Sequence, residues 1–367
     1  MKSILFLVII LALGFKFYSF NFLITLFIIS FLVFFHELGH FLAAKSLGVK
    51  VEVFSIGFGK VLLSKTIKNT KYCLSSLPFG GYVKLKGQDD LNPKLQNYDK
   101  DSYGSLSPIK KIYILLAGPF FNILLAFLLY IVIAFLGVSK LDTTIGSIAP
   151  NSAAQKANLQ INDKILSVND IKVQSFDQIS NLVKNEILNL KVQRNNEILD
   201  IKIKPKINYA YNEFFQKIQK PLLGISPSNN IIKIKYQGLN AIKYAYDESI
   251  NTSTLIIKGL IKLISAQINP NNISGVITIV DITSKAANSG IVVLFLISAL
   301  ISINLGIINL LPIPMLDGGH IVFNLYELIF KKKVSPKVFE YLSYGGMALL
   351  LSLMIFATYN DVMRLIK

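Results

Sequence analysis

The sequence predicts a multi-pass α-helical membrane protein with four core transmembrane helices, membrane-associated β-hairpins and one soluble module inserted between spans. Three observations carry that expectation. Only 16% of the 367 residues are charged and 52% are hydrophobic, whereas soluble domains carry about a quarter charged residues. The charge deficit is uneven, with long uncharged stretches alternating with ordinary polar sequence. Four of those stretches are long enough to cross about 30 Å of hydrocarbon as helices.

In chain order, residues 1–16 hold a short apolar run between Lys2 and Lys16. It suits either an extra N-terminal transmembrane helix or the core of a cleaved signal, although Phe17, Tyr18 and Phe20 are large for a cleavage site. Residues 17–47 form the first core helix, uncharged for the 19 residues 17–35. Residues 48–108 alternate apolar and small side chains around Gly57, Gly59, Gly80 and Gly81, which reads as strand hairpins with glycine turns. Residues 109–139 make the second span, with 28 uncharged residues after Lys111. Residues 143–207 read as a small soluble module. Residues 208–285 are a linker, with a closing strand near Leu223 and an amphipathic helix over 239–268 that suits a membrane surface. The third span covers 286–316, interrupted near its end by Pro312 and Pro314. Residues 317–340 are a loop, and 341–360 the fourth span.

The net charge of +17, from 38 basic and 21 acidic residues, does not indicate nucleic acid, because no basic-aromatic array accompanies it. Residues 44–111 carry 12 lysines against 5 acids, and Lys331, Lys332, Lys333 and Lys337 face only Glu340 in the loop before the fourth span. Both regions lie on one side, which the positive-inside rule makes cytoplasmic. Section 140–288 then lies outside despite 18 basic residues, since long loops escape the rule. Arg364 and Lys367 weakly oppose this orientation. A single Cys73 excludes a disulfide framework and a cysteine-rich zinc module.

Any metal must therefore be held by the three histidines and by carboxylates. His36-Glu37-Leu38-Gly39-His40 places H-E-x-x-H at the end of the first apolar segment. Spacing of four puts both imidazoles on one helix face, where they can share a zinc ion, and leaves Glu37 free to act on water there. Ionisable groups at membrane depth are costly and mark functional sites. Hydrolytic zinc takes three protein ligands. Asp317 is the leading third ligand, because two prolines put irregular backbone beside it and such backbone is tolerated only in protein or at a wet cavity. His320, Asp281 and Glu327 compete, with His320 also suited to supporting a ligand from behind.

These residues resemble the site-2 protease family of intramembrane zinc metalloproteases, in its bacterial regulator of sigma-E protease branch. The likeness runs through H-E-L-G-H, then Phe54-Ser55-Ile56-Gly57-Phe58-Gly59, Pro78-Phe79-Gly80-Gly81-Tyr82, Ala117-Gly118-Pro119-Phe120-Phe121-Asn122, and Asn304-Leu305-Gly306 leading into Asn309 through Gly319. It implies that His36, His40 and Asp317 bind Zn2+ and that Glu37 is catalytic. It also implies that Asn309 holds substrate or stabilises the oxyanion, although a polar contact between helices is the plainer role for it. The hairpin region would receive substrate as an added strand. Through its residues 145–169 the module 143–207 resembles a bacterial protease-type PDZ domain, except that Asn158 and Asn162 stand where glycines are usual; asparagine tolerates left-handed backbone.

The function so implied is a bacterial inner-membrane metalloprotease working in regulated intramembrane proteolysis. Its active site would face the cytoplasm and its PDZ domain the outside. Its substrates would be single-pass transmembrane proteins already cut by another protease, such as anti-sigma factors, or remnant signal peptides. The PDZ groove would take a peptide ligand or serve as a steric filter. A membrane zinc transporter or metal sensor using the same ligands is the alternative, and a PDZ-bearing scaffold a third class.

Overall fold

The computed structural model describes residues 2–88 and 97–366. The chain divides into two compact units, one formed by Met1–Ile133 with Gly238–Lys367, the other by Ala134–Gln237.

The first unit is helical. Helix α1 (Lys2–Ser46) is continuous, so residues 2–16 join the first span without a turn. Its segment Leu23–Ser46 is apolar and long enough to cross a membrane, as are three further helices. Strands β1 (Val51–Ile67) and β2 (Thr70–Leu85) follow, then α2 (Pro108–Leu136). Ala43, Ala44, Val49, Val51, Leu85 and Ile114 form one buried cluster. The end of α1, the base of the hairpin and the start of α2 are thereby locked together by apolar burial.

The glycines do not make the hairpin turn. Lys68 and Asn69 make it with positive φ, while Gly57 and Gly59 fall at bends inside β1. Because of those bends, residues 53–56 pair on one side with 81–84 and on the other with 71–74. Residues 81–84 thus form an outer strand, paired on one side only among the described residues.

The second unit contains β3 (Val138–Leu141), β4 (Ile145–Ile148), α3 (Ala153–Lys156), β5 (Lys164–Val168), β6 (Ile171–Lys172) and α4 (Phe176–Leu182). It continues through β7 (Leu188–Arg194), β8 (Glu197–Ile203), β9 (Lys206–Tyr211), β10 (Lys217–Leu222), β11 (Ile225–Pro227) and β12 (Ile231–Ile234). A sheet of order β6-β5-β7-β8 covers a core of Ile145, Ile165, Ile179, Leu188, Leu190 and Val192. The boundaries 143–207 are too narrow for this unit. Strand β11 pairs with β4 and β12 with β3, and Leu223 belongs to the core, so residues 208–237 are part of the module and not linker. Asn158 and Asn162 take φ of 56° and 73°, the left-handed backbone that asparagine accommodates.

The first unit resumes with α5 (Leu239–Ile264), α6 (Val276–Ser289), α7 (Ile291–Asn309), α8 (Asp317–Phe330) and α9 (Pro336–Ile366). The third span is shorter than 286–316. Gly290 separates α6 from α7, and α7 ends at Asn309 before either proline. Residues 317–340 are no simple loop, since α8 occupies their first half. Helix α6 is tied at its start to α9: Asp361 accepts from the Gly275 and Thr278 amides and the Thr278 hydroxyl, capping α6 from another helix.

Candidate metal centre

His36 and His40 lie one turn apart on α1, their rings 4.7 Å apart between centroids. Asp317 meets them as the first residue of α8. Gly318 permits that approach, because a Cβ there would collide with the Leu310 and Leu311 carbonyl oxygens. Nε2 of His36 lies 3.1 Å from Nε2 of His40. Asp317 Oδ2 is 3.3 Å from the first imidazole, and Oδ1 is 3.4 Å from the second.

The donor set fits zinc on two grounds. Tetrahedral bonds of about 2.0 Å separate neighbouring ligand atoms by about 3.3 Å, close to the separations here. The hydrogen bonding is also incomplete without a cation. His40 Nδ1 is 2.8 Å from the Ile114 carbonyl, which only accepts, so Nδ1 carries the proton and the neutral ring turns a lone pair toward Asp317. Asp317 Oδ2 is buried with no hydrogen-bond partner. Lone pairs that converge on one point repel unless a positive charge lies among them.

Helix α2 backs the histidines at Gly118. A Cβ at this position would overlap His40 Nε2 and His36 Cε1. Only glycine lets α2 pass so close to both rings.

Glu37, Asn309 and Asp317 line one cavity of about 410 Å³ with both histidines, and Gly80 to Val83 of the outer strand form part of its wall. His36, His40 and Asp317 are the one group of three metal-ligating side chains that converge among the described residues. His320 packs against Phe323 and Phe339 instead, and Asp281 pairs with Lys285. Sequence reasoning gave no role to Gly118 or Asn122, though both stand in the quoted second-span motif. The available signal was a lone amide within an uncharged span.

Helices long and apolar enough to cross a membrane, joined around two histidines and an aspartate with a glutamate in the same cavity, have the make-up of a membrane metallopeptidase. The model of peptidase family M50 matches residues 24–353. A Campylobacter jejuni protein named as a candidate zinc metalloprotease is 60% identical over the whole of both chains. A Helicobacter pylori protein named likewise is 38% identical over 94% of this chain and all of its own. The Haemophilus influenzae regulator of sigma E protease is 30% identical over 92% of this chain and 97% of its own. The chain belongs to peptidase family M50, the site-2 protease family. It is a zinc metalloprotease, and the transporter or sensor alternative falls with that membership.

Proposed function

We propose that this enzyme cleaves transmembrane segments of single-pass membrane proteins, with His36, His40 and Asp317 holding Zn2+ and Glu37 as the catalytic carboxylate. The observation that carries the reading is the convergence of those three ligands beside Glu37 in one cavity. When bound, zinc supplies a Lewis acid that lowers the pKa of water and polarises a carbonyl. Glu37 takes the proton of the attacking water and returns it to the leaving amine nitrogen. Asn309, at the end of α7, donates through Nδ2 to the carbonyl oxygen as its charge grows. A substrate helix hides its scissile bond, and the side of residues 81–84 that joins no further strand among the described residues favours holding it extended beside the cavity.

The unit Ala134–Gln237 acts as an extracytoplasmic PDZ domain in a bacterial inner-membrane protein whose active site faces the cytoplasm. A small cavity of about 120 Å³ between Phe176 and Ile179 of α4 and residues 220–225 suits a peptide end. The lysine-rich segments around the hairpin and before α9 favour this orientation, and the substrate would be one already shortened by another protease. Anti-sigma factors and remnant signal peptides fit that description.

The test uses full-length protein in liposomes with single-pass reporter substrates. Glu37→Gln should keep zinc and lose cleavage by about 10²- to 10⁴-fold. Cleavage at the wild-type rate would remove Glu37 from the reaction.

A further inference from the structure

Asn122 takes no part in the steps above, yet it is fully buried in the middle of α2. Its amide lies 3.2 Å from His36 Nδ1 through Nδ2, while Oδ1 is buried without a hydrogen-bond partner. Its main-chain carbonyl accepts a 2.7 Å hydrogen bond from Ser302 Oγ of α7. Gly306 of α7 packs against the same point, where an added Cβ would stand 3.3 Å from Asn122 Cβ. The residue is thus fixed from α7 and reaches across to α1.

Imidazole chemistry decides how this amide must work. A neutral ring carries one N–H and one lone pair. His36 Nε2 faces Asp317 and His40, so ligation requires the lone pair there and the proton on Nδ1. A proton on Nδ1 needs an acceptor. An amide N–H at that place would instead donate to Nδ1 and leave the proton on Nε2, which blocks ligation. A half-turn about Cβ–Cγ exchanges Nδ2 for Oδ1 within the same space.

We propose, resting on the assignment of His36 as a zinc ligand, that Asn122 is a positioning residue of the metal centre: its Oδ1 accepts the Nδ1 proton of His36 and fixes the tautomer whose Nε2 lone pair meets the metal. His40 needs no such partner, because the Ile114 carbonyl sets its tautomer. One ligand is oriented by main chain and the other by a side chain that substitution can change. Such outer partners of ligating histidines are typically worth 10- to 100-fold in metal affinity.

The experiment measures zinc affinity of the purified full-length protein in detergent by chelator competition, with the visible spectrum of the Co2+-loaded form as a second readout. Asn122→Asp offers only acceptors and should bind zinc within about tenfold of wild type, with a tetrahedral cobalt spectrum. Asn122→Leu should bind about 10- to 100-fold more weakly at unchanged helical content. Wild-type affinity in the leucine variant, or equal loss in both variants, would overturn the proposal. Should Asn122→Leu fail to fold, the aspartate variant decides alone, and a loss beyond about tenfold there is contradictory. A His36→Ala variant that keeps wild-type zinc affinity would instead sink the assignment of His36, which separates the two failures.

Discussion

Two aspartates, one in each unit, show how structure and function divide in this chain. Asp163 in the soluble unit has a side chain 1% exposed and receives Arg194 through both oxygens at 2.7 Å. The Gln160 amide donates to it as well. Asp317 is more open, its side chain 15% exposed, and faces two imidazoles, while its buried Oδ2 has no hydrogen-bond partner. The first carboxylate has its charge and its hydrogen bonds answered by the fold. The second leaves a place for a cation. A satisfied buried charge holds a domain in shape, and an unanswered one marks chemistry.

The largest expected effect on that contrast comes from filling the space behind the histidines. Gly118→Val should push both rings from Asp317 and lower zinc affinity by at least about 100-fold, since ligand geometry sets affinity. Isothermal titration with zinc would show it, and wild-type binding would mean that the rings have other room.

Asp163→Ala comes next. Arg194 would lose its charged partner, and the urea unfolding of the soluble unit within the full chain should lose about 2 kcal/mol. Zinc binding by the full chain should not change. A loss under about 0.5 kcal/mol would make the pair ornamental.

The same carboxylate predicts an acid dependence. Burial works against its charge, but the Arg194 hydrogen bonds, the Gln160 amide and the Arg194 charge more than offset this, and its pKa lies below the ordinary value. A depressed folded pKa adds stability that is complete above the unfolded value of about 4 and is lost as pH falls through the folded one. Urea midpoints from pH 6 down to 2 should therefore fall more steeply for wild type than for Asp163→Asn. Parallel curves would contradict this.

The smallest effect is at Asn158, with its left-handed backbone. Asn158→Ala should cost about 1 kcal/mol and Asn158→Gly almost nothing, as read by thermal unfolding.

The contrast was only half legible in the sequence. Spans declare themselves through uncharged length, and two histidines four residues apart on a helix announce a shared face, so α1 and its motif could be read locally. The prolines and glycines around Asp317 mark irregular backbone and singled it out as a candidate, and its place beside both histidines needed the fold. The full extent of the second unit did not follow, because β11 and β12 return to β4 and β3 across most of the module and such pairing leaves no local pattern. Helix α6 was hidden by its junction with the third span, where Gly290 breaks the helix without any charge to mark the boundary. The role of Asn122 needs a neighbouring helix to be visible at all.

Zinc content of the purified full chain, by elemental analysis after dialysis against a mild chelator, tests the centre most directly. Wild type and His320→Asn should each retain about one zinc per chain, and Asp317→Asn should retain far less, because an amide is a poor substitute for a carboxylate ligand. Full zinc in the Asp317 variant, or its loss in the His320 variant, would contradict the assignment of the third ligand.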